Sequence, residues 1–389
     1  MDLERGALNG VRIADFSRVL AGPYATMLLA DLGADVVKVE RPGAGDETRQ
    51  WRPPADEHGT STYFLGVNRN KRSVALDLSD EAGRERARAL VAESDVLVEN
   101  FRPGTMERLG LGHDELKARH PGLIYCSISG FGTGAGAAIP GYDLLVQAVG
   151  GLMSVTGEPE GEPTKAGVAL VDVITGLHAT LGIMAALRHR DATGEGQRVE
   201  VNLLSSLLSA MVNQASAYAV AGVVPGRMGN AHPSIAPYET FPTADRPLAL
   251  AVGNDGQFAA LAGAVGRPDL AGDPRFRTNP ERVAHRAELR RTLAERLCTA
   301  GADHWTGVLS AAGVPAGPVN TVDEAFAFAE RLGLPGIVTV PGTDGGAGAR
   351  QVACPITLSA SPAHHRLPPP ALGEHTAEVF GDSGAVADG

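Results

Sequence analysis

The sequence predicts an α/β protein: a large doubly wound domain built on a parallel sheet, with a smaller α/β domain beside it. Two patterns and the length point there. Short apolar runs alternate with helical stretches through the first part of the chain, and a Pro- and Gly-rich stretch at 223–243 separates that rhythm from a second one. At 389 residues the length suits two domains better than one.

Taken in order, residues 11–16 read as a buried strand, 22–32 as an apolar-faced helix and 35–40 as a second strand, a βαβ unit that makes the sheet parallel. Strand 73–78, helix 81–93 and strands 96–99 and 123–129 repeat the pattern. A Gly/Ala-rich loop, 131–140, leads to a helix at 142–154. A second loop, 157–167, precedes an apolar helix at 173–189 that reads as buried almost all round, with Asp172 at its start. Strand 197–202 and a long helix to Ala221 complete a large domain at 1–222. Beyond the crossover linker 223–243 lies a small domain at 244–318, with strand 248–252, helices 258–265, 279–299 and 303–312, and a strand at 315–319. The segment 319–389 returns to the large domain through a helix at 323–332 and ends loop-like.

The composition, 43% hydrophobic and 20% charged, is that of an ordinary globular protein, and the formal charge of -11 argues against nucleic acid or an anionic membrane as partner. No membrane-spanning apolar run and no secretory leader is expected. Three scattered cysteines, Cys126, Cys298 and Cys354, suit a reducing cytoplasm and suggest no metal site.

The first βαβ unit invites a dinucleotide reading, since its second strand ends in Glu40. The turn Ser17-Arg18-Val19-Leu20-Ala21-Gly22-Pro23 nevertheless has one glycine, too few for a backbone cradle around a pyrophosphate, so neither nicotinamide nor flavin is expected. Basic residues gather where loops leave the strands: Arg18, Arg41, Arg49, Arg52, Lys71, Arg72, Arg102 and Arg108. As a set they suit a polyanionic ligand, although any one of them alone reads as a solvated surface charge. Asp172, flanked by apolar residues, is costly to leave unpartnered; its local sequence reads first as a helix N-cap, a place where a carboxylate held ionised by the helix N-terminus is also available as a nucleophile. Asp143 has the same ambiguity. His232 lies in the crossover, and Gly253-Asn254-Asp255 reads as a tight turn or a hinged lid.

These residues, with Val37-Lys38-Val39-Glu40-Arg41-Pro42, Asn70-Lys71-Arg72-Ser73-Val74, Val98-Glu99-Asn100-Phe101-Arg102-Pro103-Gly104, Gly141-Tyr142-Asp143 and Gly167-Val168-Ala169-Leu170-Val171-Asp172, carry a resemblance that runs nearly end to end. The chain resembles the class III CoA-transferases, the formyl-CoA and carnitine CoA-transferase family. The resemblance implies an interlocked homodimer and a catalytic Asp172, with capping as its secondary role. It further implies that Val19, Arg41, Leu76, Asn100, Phe101 and Arg108 contact coenzyme A; Arg18, Leu20, Lys71 and Arg72, from the same motifs and the basic cluster, complete the expected site. Tyr142, Asp143, His232, Gly253, Asn254 and Asp255 are expected to support it.

The implied reaction moves CoA from an acyl-CoA to a free carboxylic acid through an aspartyl-acyl anhydride and an aspartyl-CoA thioester. Both species are activated acyl groups, so the scheme requires neither ATP nor metal, and an aspartate of ordinary pKa, about 3.9, is already ionised at neutral pH. Racemases of the same fold carry a His before the acid matching Asp143. Tyr142 stands there instead and is a poor base, which leaves the racemase, and a non-catalytic acyl-CoA-binding homologue, as alternatives. Leu20, where formyl-CoA transferase has glutamine, makes oxalate an unexpected substrate. Arg18, Arg49, Arg52 and His232 suggest a dicarboxylate.

Overall fold

The computed structural model describes residues 6–342 and 348–381; the predicted tail beyond 381 and the first five residues lie outside the described residues. Six parallel strands form the main sheet: β1 (Arg12–Asp15), β2 (Asp35–Glu40), β3 (Lys71–Ala75), β4 (Val96–Glu99), β5 (Ile124–Ser129) and β6 (Arg198–Asn202), in the spatial order β3-β2-β1-β4-β5-β6. The strand order reverses between β1 and β4, which opens a crevice at their carboxyl ends.

Both faces of the sheet are covered, and its central strands carry apolar side chains to each. Ile13, Val36, Val96, Val98, Ile124 and Cys126 point to one layer with the helices Ala21–Asp31 and Leu170–Thr193. Their neighbours Ala14, Val37, Val39, Val74, Leu97 and Tyr125 point to the other, with the helix Glu81–Ala92. Each fully buried Ile or Leu here contributes about 1.5–3 kcal/mol.

The helix Leu170–Thr193 buries Val171, Thr175, Gly176, Ala179, Ile183, Ala186 and Leu187, a single stripe at helical spacing. The sequence predicts burial almost all round. Its opposite face instead leaves Leu177 and Leu181 exposed. In length and composition alone it is also apolar enough to cross a membrane, unlike anything expected from the sequence.

Chain contacts divide the described residues into two compact units. One holds the chain up to Leu152, Ala166–Gly222 and everything from Pro335 on; the other holds Met153–Lys165 and Val223–Leu334. The boundaries therefore differ from 1–222, 244–318 and 319–389. The stretch at 223–243 is not a free linker, because it contributes β7 (Tyr238–Phe241) to an antiparallel sheet with β8 (Leu248–Ala251) and β9 (Ala316–Pro318). Phe241, Leu250, Phe258, Leu293 and Trp305 share the core of this second unit. A hairpin of β10 (Ile337–Val340) and β11 (Ala349–Val352) went unforeseen.

Three predicted helices are broken. The stretch at 142–154 becomes Asp143–Val149 and Leu152–Val155, turning at Gly151, whose φ of +89° favours glycine. The helix to Ala221 breaks at Met211, and 279–299 breaks at His285. β3 starts two residues before the predicted strand because the Lys71 side chain is buried rather than solvated.

Candidate active site

The turn after β1 forms the first wall. Buried Asp15 accepts hydrogen bonds from the Ser17 N–H at 3.0 Å, from the Ser17 and Thr26 hydroxyls, and from Lys71 Nζ at 3.1 Å. Arg18 is held by Asn100 on both backbone groups: its N–H donates to Oδ1 at 2.8 Å, and its carbonyl accepts from Nδ2 at 2.7 Å. Val19 follows with a φ of +69°, a left-handed conformation that a β-branched residue rarely adopts.

The helix Leu170–Thr193 forms the opposite wall. Its N-cap position is Ala169, which cannot cap, so Asp172 sits in the first turn and is not the cap itself. The cap comes from another helix. Asp143 Oδ1 accepts the N–H groups of Val171 at 2.8 Å and Asp172 at 3.2 Å, while its Oδ2 accepts from Gln147 Nε2 at 2.6 Å. Gln147 Oε1 in turn accepts the Ala166 N–H at 2.8 Å. Asp143 is thus a helix cap as the local reading had it, but of the Asp172 helix rather than its own.

Asp172 is only partly buried, yet burial, reinforced by the neighbouring Asp143 charge, pushes its carboxyl up to about 7. The expectation of an ordinary carboxylate fully ionised at neutral pH is therefore corrected. Tyr63 lies within the electrostatic reach of both acids; burial, then the charges of Asp172 and Asp143, push its phenol up to about 12. Its ring packs edge-on against Trp51 at 5.2 Å.

Between these walls lies a cavity of about 180 Å³, lined by Arg18, Val19, Leu20, Asn100, Phe101, Tyr142 and Asp172 among the predicted residues. The Arg18 guanidinium stacks 4.8 Å from the Phe101 ring centre and pairs with Glu47 at 2.8 Å. Arg102 is the other lining cation. A glycine-rich wall (Gly130, Gly132, Gly136, Gly141) completes it; a Cβ on Gly130 would lie 2.5 Å from the Gly141 Cα, so the two loops meet backbone to backbone. Tyr142, 62% exposed, stands beside them.

Other predicted ligand-binding residues are placed elsewhere. Lys71 is buried, donates to Asp15, the Pro23 carbonyl and Asn68, and is pushed down to about 8 by burial; it is a core cation, not a phosphate ligand. The Arg72 guanidinium is taken by Asp35 and Glu378. Leu76 is a core side chain of the sheet's second layer. Arg49 forks onto Glu40 at 2.8 and 2.7 Å, which removes it as a carboxylate receptor and removes Glu40 as a ribose acceptor. Arg41 and Arg108 are exposed and do not line the cavity. Arg52, exposed, donates to the Gly59 carbonyl.

His232, Gly253, Asn254 and Asp255 belong to the second unit. His232 Nδ1 accepts the Ser234 N–H and its ring packs on Tyr238 at 5.3 Å. Asn254 caps the helix Asp255–Ala264 through the Gln257 N–H, and Asp255 pairs with buried Arg282 at 2.7 Å, so this turn is a helix start. Among the described residues no three His, Cys, Asp or Glu side chains gather to hold a metal ion.

Glu47 and Leu203 in the lining, and Tyr63 within reach of both acids, carry no site signal in the sequence, whereas Phe131 and Ile139 belong to the Gly/Ala-rich loop 131–140, a composition that usually sits over a site. Glu47 and Tyr63 come from the segment between β2 and β3, whose lack of periodicity gave no signal.

The model of CoA-transferase family III matches residues 8–376. A succinate–glutarate CoA-transferase of Agrobacterium fabrum is 43% identical over 96% of this chain and 95% of that protein. A succinyl-CoA:glutarate CoA-transferase of Mus musculus is 41% identical over 96% of this chain and 85% of its own length. The crystal structure of a CAIB/BAIF family protein from Brucella suis superposes with a TM-score of 0.86, at 43% identity, over 96% of this chain and 98% of that one.

Proposed function

The chain belongs to CoA-transferase family III and is a CoA-transferase, and from that premise we propose that it moves CoA between dicarboxylic acids through covalent intermediates on Asp172. The observation that carries the reading is Asp172 itself, an acid in the cavity wall with its carboxyl pushed up to about 7. A carboxylate of raised pKa is a stronger nucleophile once ionised, and about half of it is ionised at neutral pH.

In the proposed cycle a carboxylate oxygen of Asp172 adds to the thioester carbonyl and the CoA thiolate leaves, which gives a mixed anhydride. The thiolate then attacks the aspartyl carbonyl, forming the aspartyl-CoA thioester and releasing the donor acid as its carboxylate. The acceptor carboxylate repeats these two steps in reverse. No net proton is consumed. Oxyanion charge develops at each addition, and backbone N–H groups of the glycine wall are its candidate donors.

Arg18 and Arg102 are the cations in the cavity lining, and a distal carboxylate would be met by a guanidinium. The succinate and glutarate in the names of the relatives agree with that choice. The proposed assembly is a homodimer, interlocked as in the family. The large unit supports it by leaving Leu181 at 68%, Val212 at 69% and Val220 at 84% exposure, apolar surface that a monomer would waste. A reducing cytoplasm suits the free cysteines.

The test is intact-mass analysis after incubation with succinyl-CoA or glutaryl-CoA and trapping with hydroxylamine, alongside a screen of donors against acceptors read by the mass of the new thioester. A modified Asp172 and exchange between dicarboxylates are expected. Full exchange activity in Asp172→Ala would refute the mechanism.

A further inference from the structure

We infer that the buried pair Lys38–Asp46 is a positioning device for the cavity, holding Val19 in its left-handed conformation so that Arg18, Val19 and Leu20 face the ligand; this rests on the CoA-transfer reading of that cavity. Both side chains are fully buried, and Lys38 Nζ lies 2.9 Å from Asp46 Oδ2. Each partner also grips the turn. Lys38 Nζ donates to the Ser17 carbonyl at 2.9 Å, and the Asp46 carboxylate accepts the Val19 N–H with both oxygens, at 3.3 and 3.2 Å.

The grip is itself anchored. Asp46 Oδ1 accepts the Thr48 N–H and hydroxyl, and the Asp46 N–H donates to Glu40 Oε2 at 3.0 Å. Glu40 is in turn held by Arg49 and Ser73. A β-branched residue at a φ of +69° relaxes toward the β region unless its neighbours over-determine it. The Val19 N–H aimed at a buried anion supplies that determination, and Asn100 clamps the preceding peptide groups. Relaxation at Val19 would turn the cavity wall, so neither Lys38 nor Asp46 need touch ligand to govern its affinity; neither lines the cavity.

Because glycine adopts a positive φ without strain, the role predicts dependence on residue 19. The experiment is a double-mutant cycle between Asp46→Asn and Val19→Gly, read by calorimetric titration of free CoA into the full chain, with far-ultraviolet circular dichroism as the folding control. On the wild-type background Asp46→Asn is expected to raise the CoA Kd about tenfold or more, and on the Val19→Gly background by less than about threefold relative to Val19→Gly alone. Asp46→Glu, which keeps the charge opposite Lys38 but moves the acceptor, should show the same dependence. Equal losses on both backgrounds, no loss on either, or failure of both Asp46 variants to fold on either background would overturn the positioning role. Wild-type protein that binds no CoA would overturn the functional reading itself and this role with it.

Discussion

Asp143 accepts the N–H groups of Val171 and Asp172 at 2.8 and 3.2 Å, so the side chain that tethers the first turn of the long helix also sets a second negative charge beside Asp172. One residue therefore fixes the position of the proposed nucleophile and adds its charge to the burial that raises the nucleophile's pKa.

The first prediction concerns the pH profile. If ionised Asp172 is the attacking species, kcat/KM should fall on the acid side with an apparent pKa near 7. Asp143→Asn keeps an oxygen for the Val171 N–H but removes the charge, so the acid limb should move to lower pH. Initial rates from pH 5 to 9 check this, and a limb that stays in place would remove Asp143 as a cause.

Stability should respond in the opposite sense to an ordinary carboxylate. The Asp172 pKa is raised from 3.8 to about 7 on folding, so the folded state binds the extra proton between those values and stability declines as pH rises through that window. Asp172→Asn should therefore be more stable than wild type, with a gap that is absent near pH 4, grows towards pH 7 and is then flat. The gap should not exceed about 4 kcal/mol, less whatever solvent screens. The same variant should lose at least about 10³-fold in turnover. Denaturant titrations across pH 4–8 measure the first effect, and a thioester exchange assay the second.

Removal of the cap altogether should separate position from charge. Asp143→Ala leaves the Val171 and Asp172 N–H groups without their acceptor and should cost about 1 kcal/mol in a denaturant midpoint. Its activity should fall further than that of Asp143→Asn, because the nucleophile loses its tether as well as its neighbour's charge.

Gly176 sits where the helices Ala21–Asp31 and Leu170–Thr193 cross, and a Cβ there would lie 2.6 Å from the Ala21 carbonyl oxygen. Gly176→Ala should force the helices apart at a cost of about 1–3 kcal/mol. Since one helix begins at the Leu20 wall and the other bears Asp172, CoA affinity should drop with the melting temperature; thermal melts and CoA titration on one preparation check both.

The exposed apolar side chains of the large unit predict assembly. Wild-type protein should run as a dimer in size-exclusion chromatography with light scattering, and Leu181→Glu with Val212→Glu should yield monomer or aggregate. A wild-type monomer would refute the homodimer.

Much of the large unit was legible along the chain. Strands 35–40 and 96–99 fall at their predicted bounds, because their valine and leucine runs are visible residue by residue, although buried Lys38 and Glu40 interrupt the first. The ordered motifs led to the family and to Asp172. The breaks at Gly151, Met211 and His285 were not legible, since apolar periodicity continues across a turn whose cause lies in packing.

What the one-dimensional pattern could not contain was the fate of the charged side chains. A basic residue near a strand end reads the same whether it awaits a substrate carboxylate, as proposed for Arg18, or is taken by a partner inside the fold, as Lys71 is by Asp15 and Arg49 by Glu40. Burial and pairing are set by residues tens of positions away, and so are the capping of the Asp172 helix by Asp143 and the Asp172 carboxyl raised by burial and then by the Asp143 charge. Backbone periodicity is a local property and is written in order along the chain; electrostatic environment depends on distance in space, and only the folded arrangement of β1, β2, β3 and the two crossing helices assigns it.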